Sequence, residues 1–278
     1  MSDWRYIDTH AHLNLAQFAD DRASVLARCK EQGVAMINVG TRKETSQLAA
    51  EIAREHAHAW AIVGVHPLNV VEADPDDYGA TEPETSFDYD WYRALASDSR
   101  VVGIGECGFD YFHHSDTTYD LQREVFRAQI ALANELGKPL MLHLRNSQDG
   151  QGRNAYDDAL EILASEARVP GNAHFYAGTI EQAKRFFELG YTISFTGVIT
   201  FAKPYEELVR YAPLDMLHAE TDCPYVAPVP HRGQRCEPWM VEEVVRTIAT
   251  IKNQSLDVIV PALLENAGRL YQIDTSPR

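Results

Sequence analysis

The chain has 278 residues, of which 45% are hydrophobic, and this size is typical of a single α/β barrel over residues 1–278. Its formal net charge of −16 argues against a broad basic face for duplex nucleic acid, so we expect a polyanionic substrate to be bound locally. The N-terminus has no basic-then-apolar leader, and no apolar run approaches the roughly 18 residues that span a bilayer. We therefore expect a cytoplasmic protein that has no membrane contact and needs no obligate protein partner.

Short apolar or β-branched runs recur along the chain and alternate with helical stretches, of which Tyr119–Leu136 and Asp158–Glu166 are examples. Eight runs are predicted to be strands: Tyr6–Asp8, Ala35–Val39, Trp60–Val65, Val101–Gly105, Pro139–Leu142, a stretch ending at Ala173, Tyr191–Phe195 and Met216–Glu220. Eight βα units in this length favour a closed (β/α)8 TIM barrel over the alternative, an open doubly wound sheet.

Two segments are predicted to be loops. Residues 72–90 contain eight acidic residues, two prolines and no basic residue, which is typical of a long exposed loop. Residues 146–154 contain two glycines and follow the fifth predicted strand.

Histidines and carboxylates follow several of the predicted strands. His10 and His12 come directly after the first, and their two-residue spacing places both imidazoles on one side of the chain. Alone, such a pair is more often two ordinary surface or core histidines. Further candidates end later strands, and in a barrel these ends share one mouth, where active sites lie: Glu106 on the fourth, His143 on the fifth, His174 on the sixth and Asp222 on the eighth.

Each of these residues has an ordinary alternative, such as a carboxylate paired with arginine, a hydrogen-bonded core imidazole or a loop cap. Together, imidazoles and carboxylates without cysteine are typical ligands of a hydrolytic site for Mg, Mn or Zn. The four cysteines form no CxxC pair and are expected to be reduced, and strand alternation turns Cys107 away from the side of Glu106. Neither a GxSxG nor a GxxxxGK motif is present.

Four residues near the same mouth are candidate substrate contacts. Arg145 lies two residues after His143, and Arg232 and Arg235 lie in the loop after the eighth strand, where they could hold phosphate oxygens or be ordinary solvated charges. His66 follows the third strand and is predicted to support the site or to pack against a helix.

The sequence resembles the TatD family of metal-dependent deoxyribonucleases, within the wider amidohydrolase-like barrels. The resemblance covers almost the whole chain in order, through these segments: Asp8–Leu13, Gly64–Pro67, Gly105–Tyr111, Lys138–Arg145, His174 and Gly178, Ile193–Gly197, and Glu220–Pro228. The family's His-Cys-Phe-x-Gly is His174-Phe-Tyr-Ala-Gly178 here, and Cys236 replaces an expected asparagine before Glu237-Pro238. The acidic segment and residues 148–154 are also longer than is usual in the family. If they flank the mouth, we expect them to narrow access or to repel long DNA.

The resemblance implies two divalent metal ions. His10, His12, Glu106 and Asp222 would bind one ion, and Glu106, His143 and His174 would bind the other. Glu106 would bridge the pair, which can lower the pKa of a bound water and orient a phosphodiester. Asp222 could also steer or deprotonate that water.

The leading functional hypothesis is therefore a deoxyribonuclease, acting as an exonuclease on a single-stranded or frayed DNA end. The same ligands would activate water for a small-molecule amide or ester hydrolase, which is the alternative enzyme. A non-catalytic metal-binding barrel is a third hypothesis. All six ligand positions are intact, which favours an enzyme.

Overall fold

The computed structural model describes residues 4–72, 82–114, 116–148, 150 and 152–275. Within them lie eight strands: β1 Tyr6–Ala11, β2 Val34–Val39, β3 Ala59–Val63, β4 Val101–Asp110, β5 Leu140–Arg145, β6 Gly171–Ala173, β7 Tyr191–Phe195 and β8 Leu217–Ala219. Each strand pairs in parallel with the next along the chain, so that one sheet runs in the order β1 to β8. The predicted (β/α)8 barrel is confirmed, and the open doubly wound sheet is excluded.

Helices lie between the strands and after the last one: α1 Arg22–Glu31, α2 Lys43–Glu55, α3 Pro67–Val71, α4 Tyr89–Ala96, α5 Tyr111–His114, α6 Tyr119–Leu136, α7 Ala155–Glu166, α8 Ile180–Glu188, α9 Tyr205–Tyr211, α10 Val241–Lys252 and α11 Leu256–Tyr271. Helix α6 has the predicted bounds. Helix α7 begins three residues before the predicted start, because the Asn154 side chain accepts hydrogen bonds from the amides of Tyr156 and Asp157 and caps the helix there.

The hydrophobic residues form two separate buried clusters. In β2, Val34 and Met36 belong to the larger cluster, which includes the helices, whereas the alternate residues Ala35, Ile37 and Val39 belong to the smaller one. Because alternate side chains of a strand point to opposite faces, the smaller cluster fills the inside of the barrel. Leu270 and Tyr271 at the C-terminal end of α11, together with Ile273 after it, pack against the bottom of this interior.

The first and last strands meet at a seam that is held by backbone atoms beyond the end of β8. The Asp222 amide donates to the His10 carbonyl at 2.9 Å, and the His12 amide donates to the Cys223 carbonyl at 3.1 Å. The buried carboxylate of Asp8 also accepts a hydrogen bond from the Thr221 amide at 2.9 Å. The barrel therefore closes at the level of the histidine pair.

Several predicted boundaries are wrong in detail. Three strands run further than predicted: β1 includes His10, β4 continues four residues past Glu106, and β5 continues two residues past His143. Asp222 lies three residues after β8. The candidate residues thus occupy the upper parts of the strands as well as the loops after them.

The two predicted loops differ in how far the structure supports them. The segment from 146 to 154 does connect β5 to α7, although residues 149 and 151 lie outside the described residues. The acidic segment lies outside them at 73–81, and α4 begins before its predicted end. Glu84 in that segment is half-buried, because its carboxylate accepts the Lys43 amide at 3.0 Å and its own amide donates to the Asn69 carbonyl. The prediction of an exposed loop is therefore wrong at Glu84.

Candidate metal centre

All six predicted ligand residues meet at the C-terminal mouth of the barrel. Glu106 lies at the centre of this group, and the glycines on either side explain how β4 places it there. A Cβ atom at Gly105 would lie 2.4 Å from the Met141 carbonyl oxygen, and one at Gly108 would lie 2.3 Å from that of His143. Both glycines have positive φ angles, +147° and +136°, which side chains rarely adopt. Glycine at these positions therefore lets β4 approach β5 closely.

The two oxygens of Glu106 face two different sets of imidazoles. Oε2 lies 3.4 Å from His10 Nε2 and 3.8 Å from His12 Nε2. Oε1 lies 2.9 Å from His143 Nδ1 and 2.7 Å from His174 Nε2. One fully enclosed carboxylate thus connects both halves of the cluster.

Asp222 completes the first set. Its Oδ1 lies 3.3 Å from His12 Nε2 and 3.7 Å from His10 Nε2, and the two imidazole nitrogens are 3.0 Å apart. Asp222 has a φ of +55°, a left-handed conformation that aspartate tolerates better than most residues. The hydrogen bond from its amide to His10 holds this conformation.

Hydrogen bonds on the outer side of the rings fix the imidazole orientations. His12 Nδ1 lies 2.8 Å from the Val39 carbonyl oxygen, and His143 Nε2 lies 3.0 Å from Asp110 Oδ2. In both rings the other nitrogen faces the cluster. Metal-binding histidines in proteins commonly have such an outer partner, which sets the ring orientation and makes the inner nitrogen a better ligand.

The electrostatics of the cluster favour a bound positive charge. Burial acts to raise the pKa of Glu106, but the surrounding imidazoles, His174 first, hold that pKa well below its usual range. Burial acts to lower the pKa of His174, but Glu106 raises it well above its usual range. A cation can supply the charge that otherwise comes from protons on these rings. The residues therefore fit divalent metal ions both in donor type and in charge.

A chain of buried polar side chains continues below His174 into the barrel. Glu220 is fully buried, and its Oε1 accepts the Phe175 amide at 2.6 Å and lies 3.6 Å from His174 Nδ1. Its Oε2 accepts the Ser194 hydroxyl at 2.6 Å, and Ser194 in turn accepts Asn172 Nδ2 at 2.7 Å. These contacts fix the segment that carries His174.

The sequence offered no role for Asp110 or Glu220, although the structure places both against candidate ligands. The available signal was spacing. Asp110 lies four residues after Glu106 in an extended strand, which is consistent with the same side, and Glu220 lies two residues before Asp222. Neither spacing reveals which histidine the carboxylate contacts, because that depends on the neighbouring strand.

A cavity of about 840 Å³ opens above the cluster. His66 and Arg145 both line it. His66 Nε2 lies 3.6 Å from Glu106 Oε1, while its Nδ1 accepts the Leu68 amide at 3.0 Å. The Arg145 guanidinium lies 3.7 Å from the centre of the Phe112 ring.

The arginines of the loop after β8 are placed differently. Arg232 stacks on Phe201, with 4.0 Å between its guanidinium carbon and the ring centre, and it is not among the described residues that line the cavity. Arg235 binds Asp21 at 2.6 Å and Glu237 at 3.1 Å. Its charge is therefore used within the protein, and the suggested phosphate contact is not supported.

A closed parallel barrel with imidazoles and carboxylates converging at its C-terminal mouth defines the class of metal-dependent hydrolases. Comparison with known proteins identifies the family. The family model described as TatD related DNase matches residues 7–272, so the chain belongs to this family, as the sequence resemblance indicated.

Individual relatives agree with this assignment. A Bacillus subtilis protein named uncharacterized metal-dependent hydrolase YabD is 36% identical over 272 residues, covering 96% of this chain and 99% of the relative. A Pantoea protein named 3'-5' ssDNA/RNA exonuclease TatD is 30% identical over 277 residues, covering 96% and 99%. The crystal structure of the TatD homologue YJJV from Escherichia coli matches with a TM-score of 0.82 and 26% identity, covering 98% of this chain and all of that one.

The chain is therefore a metal-dependent hydrolase, and the nuclease names of relatives are consistent with the hydrolysis of ester bonds. Among the described residues, no helix has the length and apolar character needed to cross a membrane.

Proposed function

We propose that this protein hydrolyses the phosphodiester bonds of DNA at a centre that holds two divalent metal ions. The observation that supports this most is the orientation of the Glu106 carboxylate. Its Oε2 faces His10 and His12, while its Oε1 faces His143 and His174. A carboxylate placed in this way is suited to bridge two adjacent cations. The relatives named as TatD exonucleases support a nucleic acid as the substrate.

Six residues would hold the ions: His10, His12, Glu106 and Asp222 the first, and Glu106, His143 and His174 the second. Such a pair, when bound, lowers the pKa of water and stabilises negative charge on the entering and leaving oxygens of a phosphodiester. Nitrogen and carboxylate ligands suit Mg, Mn or Zn.

We assign proton transfer to Asp222. Its side chain lines the cavity and is 14% exposed, in contrast to the enclosed Glu106. Burial acts to raise the pKa of Asp222, but a hydrogen bond from His12 and the nearby imidazoles lower it. The carboxylate is therefore ionised at neutral pH, where it can orient an attacking water and accept its proton.

We assign His66 to the substrate, although it lies close to Glu106 and His143. Burial, followed by the charge of His143, lowers the pKa of His66 to about 3, so its ring is neutral at physiological pH. Because Nδ1 accepts the Leu68 amide, the single proton of the neutral ring is on Nε2. A protonated nitrogen cannot bind a cation, but it can donate to a phosphate oxygen.

Arg145 would hold a second phosphate oxygen. Its side chain lines the cavity, and stacking on Phe112 restricts the positions of the guanidinium group. A charge that is already ordered loses less conformational entropy on binding an anion. Such local cations are required because the chain carries a net charge of −16.

The form of the substrate follows from the shape of the site. A cavity of about 840 Å³ at the mouth of a barrel can enclose a nucleotide at the end of a strand, but it cannot enclose the diameter of a duplex. We therefore propose exonucleolytic cleavage from a single-stranded or frayed end. We also propose a cytoplasmic location, since the four cysteines are free and buried, and a single catalytic domain over residues 1–278.

The test is nucleotide release from short single-stranded and duplex DNA with Mg, Mn or Zn, compared with EDTA. Glu106→Gln should abolish metal-dependent release, because it removes the charge that both imidazole sets face. The control is Glu265→Gln, which changes an exposed carboxylate on α11 and should leave release unchanged.

Metal binding should be measured on the same samples by titration calorimetry. If the wild-type protein binds two ions but releases no nucleotide from any strand, the nuclease assignment is wrong. Turnover of small amides or esters under those conditions would establish the alternative enzyme. No turnover of any substrate would establish a non-catalytic metal-binding barrel.

A further inference from the structure

Exposed apolar side chains cluster on two loops at one side of the cavity. Among the described residues, Phe201 after β7 is 43% exposed, and Tyr225 and Val229 after β8 are 38% and 44% exposed. The loops are in direct contact, because the Val229 amide donates to the Thr200 hydroxyl at 2.9 Å. We call Phe201, Tyr225, Val229 and Arg232 the rim platform.

Arg232 adds an ordered positive charge to the rim platform. Its guanidinium carbon lies 4.0 Å from the centre of the Phe201 ring, and its Nη1 donates to the Ala227 carbonyl at 2.9 Å. The hydrogen bond and the stacking together hold the guanidinium against the ring. The result is a flat aromatic surface with a cation attached to it.

The rim platform is continuous with the proposed active site. Tyr225 lines the cavity, and its amide donates to the Asp222 carbonyl at 3.0 Å. Tyr205, at the start of α9 and four residues after Phe201, also lines the cavity. A chain that leaves the cavity on this side therefore passes over aromatic rings.

The chemistry of the rim platform indicates what it binds. An apolar protein surface would match the exposed rings but not the ordered Arg232 cation that is stacked on one of them. In a chain with a net charge of −16, such a cation favours a negatively charged partner. Single-stranded nucleic acid presents flat aromatic faces and phosphates at alternating positions, which matches rings and guanidinium together. A duplex hides the faces of its bases in the stack.

We propose that the rim platform stacks the bases and binds the phosphates of the single strand whose end enters the cavity. This proposal rests on the proposed nuclease function and extends it. The platform would bind bases without hydrogen-bonded readout, so it selects single strands over duplexes with little sequence preference.

The test compares two strands that differ only in their bases. A phosphorothioate-linked thymidine 12-mer, which resists hydrolysis, and an abasic strand of the same length and linkage are titrated against Mg-loaded protein, with fluorescence anisotropy as the readout. Phe201→Ala should weaken binding of the thymidine strand roughly tenfold, as expected for the loss of one stacked base. Binding of the abasic strand should change far less.

Two further variants sharpen the result. Tyr211→Ala removes another exposed aromatic ring, at the far end of α9, and should leave binding of both strands unchanged. Arg232→Lys keeps the charge but loses the flat guanidinium, so it should weaken binding of the thymidine strand more than binding of the abasic strand.

Equal binding by wild type and Phe201→Ala would overturn the proposal, as would an equal loss for both strands. So would a wild-type dimer that becomes monomeric on Phe201→Ala, because the rings would then belong to a contact between two copies. Failure of the nuclease function gives a different result: metal-loaded wild type would hydrolyse neither ordinary DNA nor bis(p-nitrophenyl) phosphate, whatever the strands show.

Discussion

The two sides of the barrel interior differ in chemistry. Below the proposed metal centre, the inward side chains from β1 to β5 include the apolar Ile7, Ile37, Ile62, Val102 and Met141. From β6 to the residue after β8, the buried side chains on this side include polar ones: Asn172, Thr192, Ser194, His218 and Glu220. Both sides are enclosed, and the side chains of the polar side form a hydrogen-bonded chain that ends at the Phe175 amide, next to His174.

The difference separates what stabilises this barrel from what positions its site. Burying apolar side chains stabilises a fold directly, whereas buried polar groups cost free energy unless they are hydrogen-bonded. A polar chain below one wall of the site therefore has a different effect, which is to fix His174 and Phe175. We expect changes on the apolar side to lower stability alone, and changes on the polar side to lower activity as well.

The largest effect on stability should come from the apolar side. Ile37→Ala leaves a cavity in a fully enclosed position and should lower the free energy of unfolding by about 3 kcal/mol. Denaturation by urea measures this, and turnover per folded molecule should be unchanged. Val258→Ala, an exposed position on α11, is the control and should be neutral. A loss of turnover in folded Ile37→Ala protein would contradict the proposal that the apolar side affects stability alone.

On the polar side, Glu220→Gln should have the largest effect on function. The substitution keeps the size of the side chain but replaces an acceptor of the Phe175 amide or of Ser194 with a donor. Loss of such a supporting partner typically weakens metal binding or activity by about 10- to 100-fold. Calorimetric titration with Mn should show the weaker binding. Unchanged metal affinity together with lower stability would make Glu220 a purely structural residue.

His218, on the polar side, should make the free energy of unfolding of the protein depend on pH. Burial lowers the pKa of His218 to about 3, from an ordinary value of 6.5, so below pH 6.5 the unfolded chain binds a proton that the folded chain does not. The contribution of the neutral His218 ring to the free energy of unfolding is therefore fully present above pH 6.5. It falls by about 1.4 kcal/mol per pH unit as the pH decreases from 6.5 towards 3. His218→Phe should remove this contribution. Urea denaturation at pH 7, 6 and 5 measures it, and equal slopes in both proteins would contradict the assignment.

The smallest expected changes in stability allow the most direct comparison of the polar and apolar sides. Ser194→Ala removes the hydroxyl between Glu220 and Asn172 and should lower the free energy of unfolding by about 1 kcal/mol. Ile7→Val on the apolar side should have a similar effect on stability. Of these two variants, only Ser194→Ala should also lower kcat/KM, because Ser194 is hydrogen-bonded to Glu220 and Ile7 is not. Equal kcat/KM in the two variants would remove the functional distinction between the sides.

The sequence predicted the barrel and its cluster because both depend on local patterns. Apolar runs at regular spacing indicate parallel strands, and the ends of parallel strands must meet at one mouth. His10, Glu106 and His174 could therefore be brought together without any knowledge of the register between strands.

The remaining features depend on that register and on side-chain contacts. The contact of Asp110 with His143 depends on how β4 pairs with β5, where Gly108 lies opposite His143. Arg232 and Arg235 are three residues apart in one loop, yet Arg232 stacks on Phe201 and Arg235 binds Asp21. No local pattern separates two such arginines, because their partners lie in distant segments.

The seam between β1 and the segment after β8 is formed by residues that are also proposed metal ligands, so metal binding should affect the stability of the protein. The amide and carbonyl groups that join the two ends of the sheet belong to His10, His12, Asp222 and Cys223, so three of the six proposed ligands also close the barrel. A cation bound by these residues would hold the first strand against the segment after the last. At a concentration of 100 times the dissociation constant, a cation that binds only the folded chain adds about 2.7 kcal/mol of stability. With the ligands as proposed, cation supply in the cell would determine how long each molecule persists as well as how fast it works.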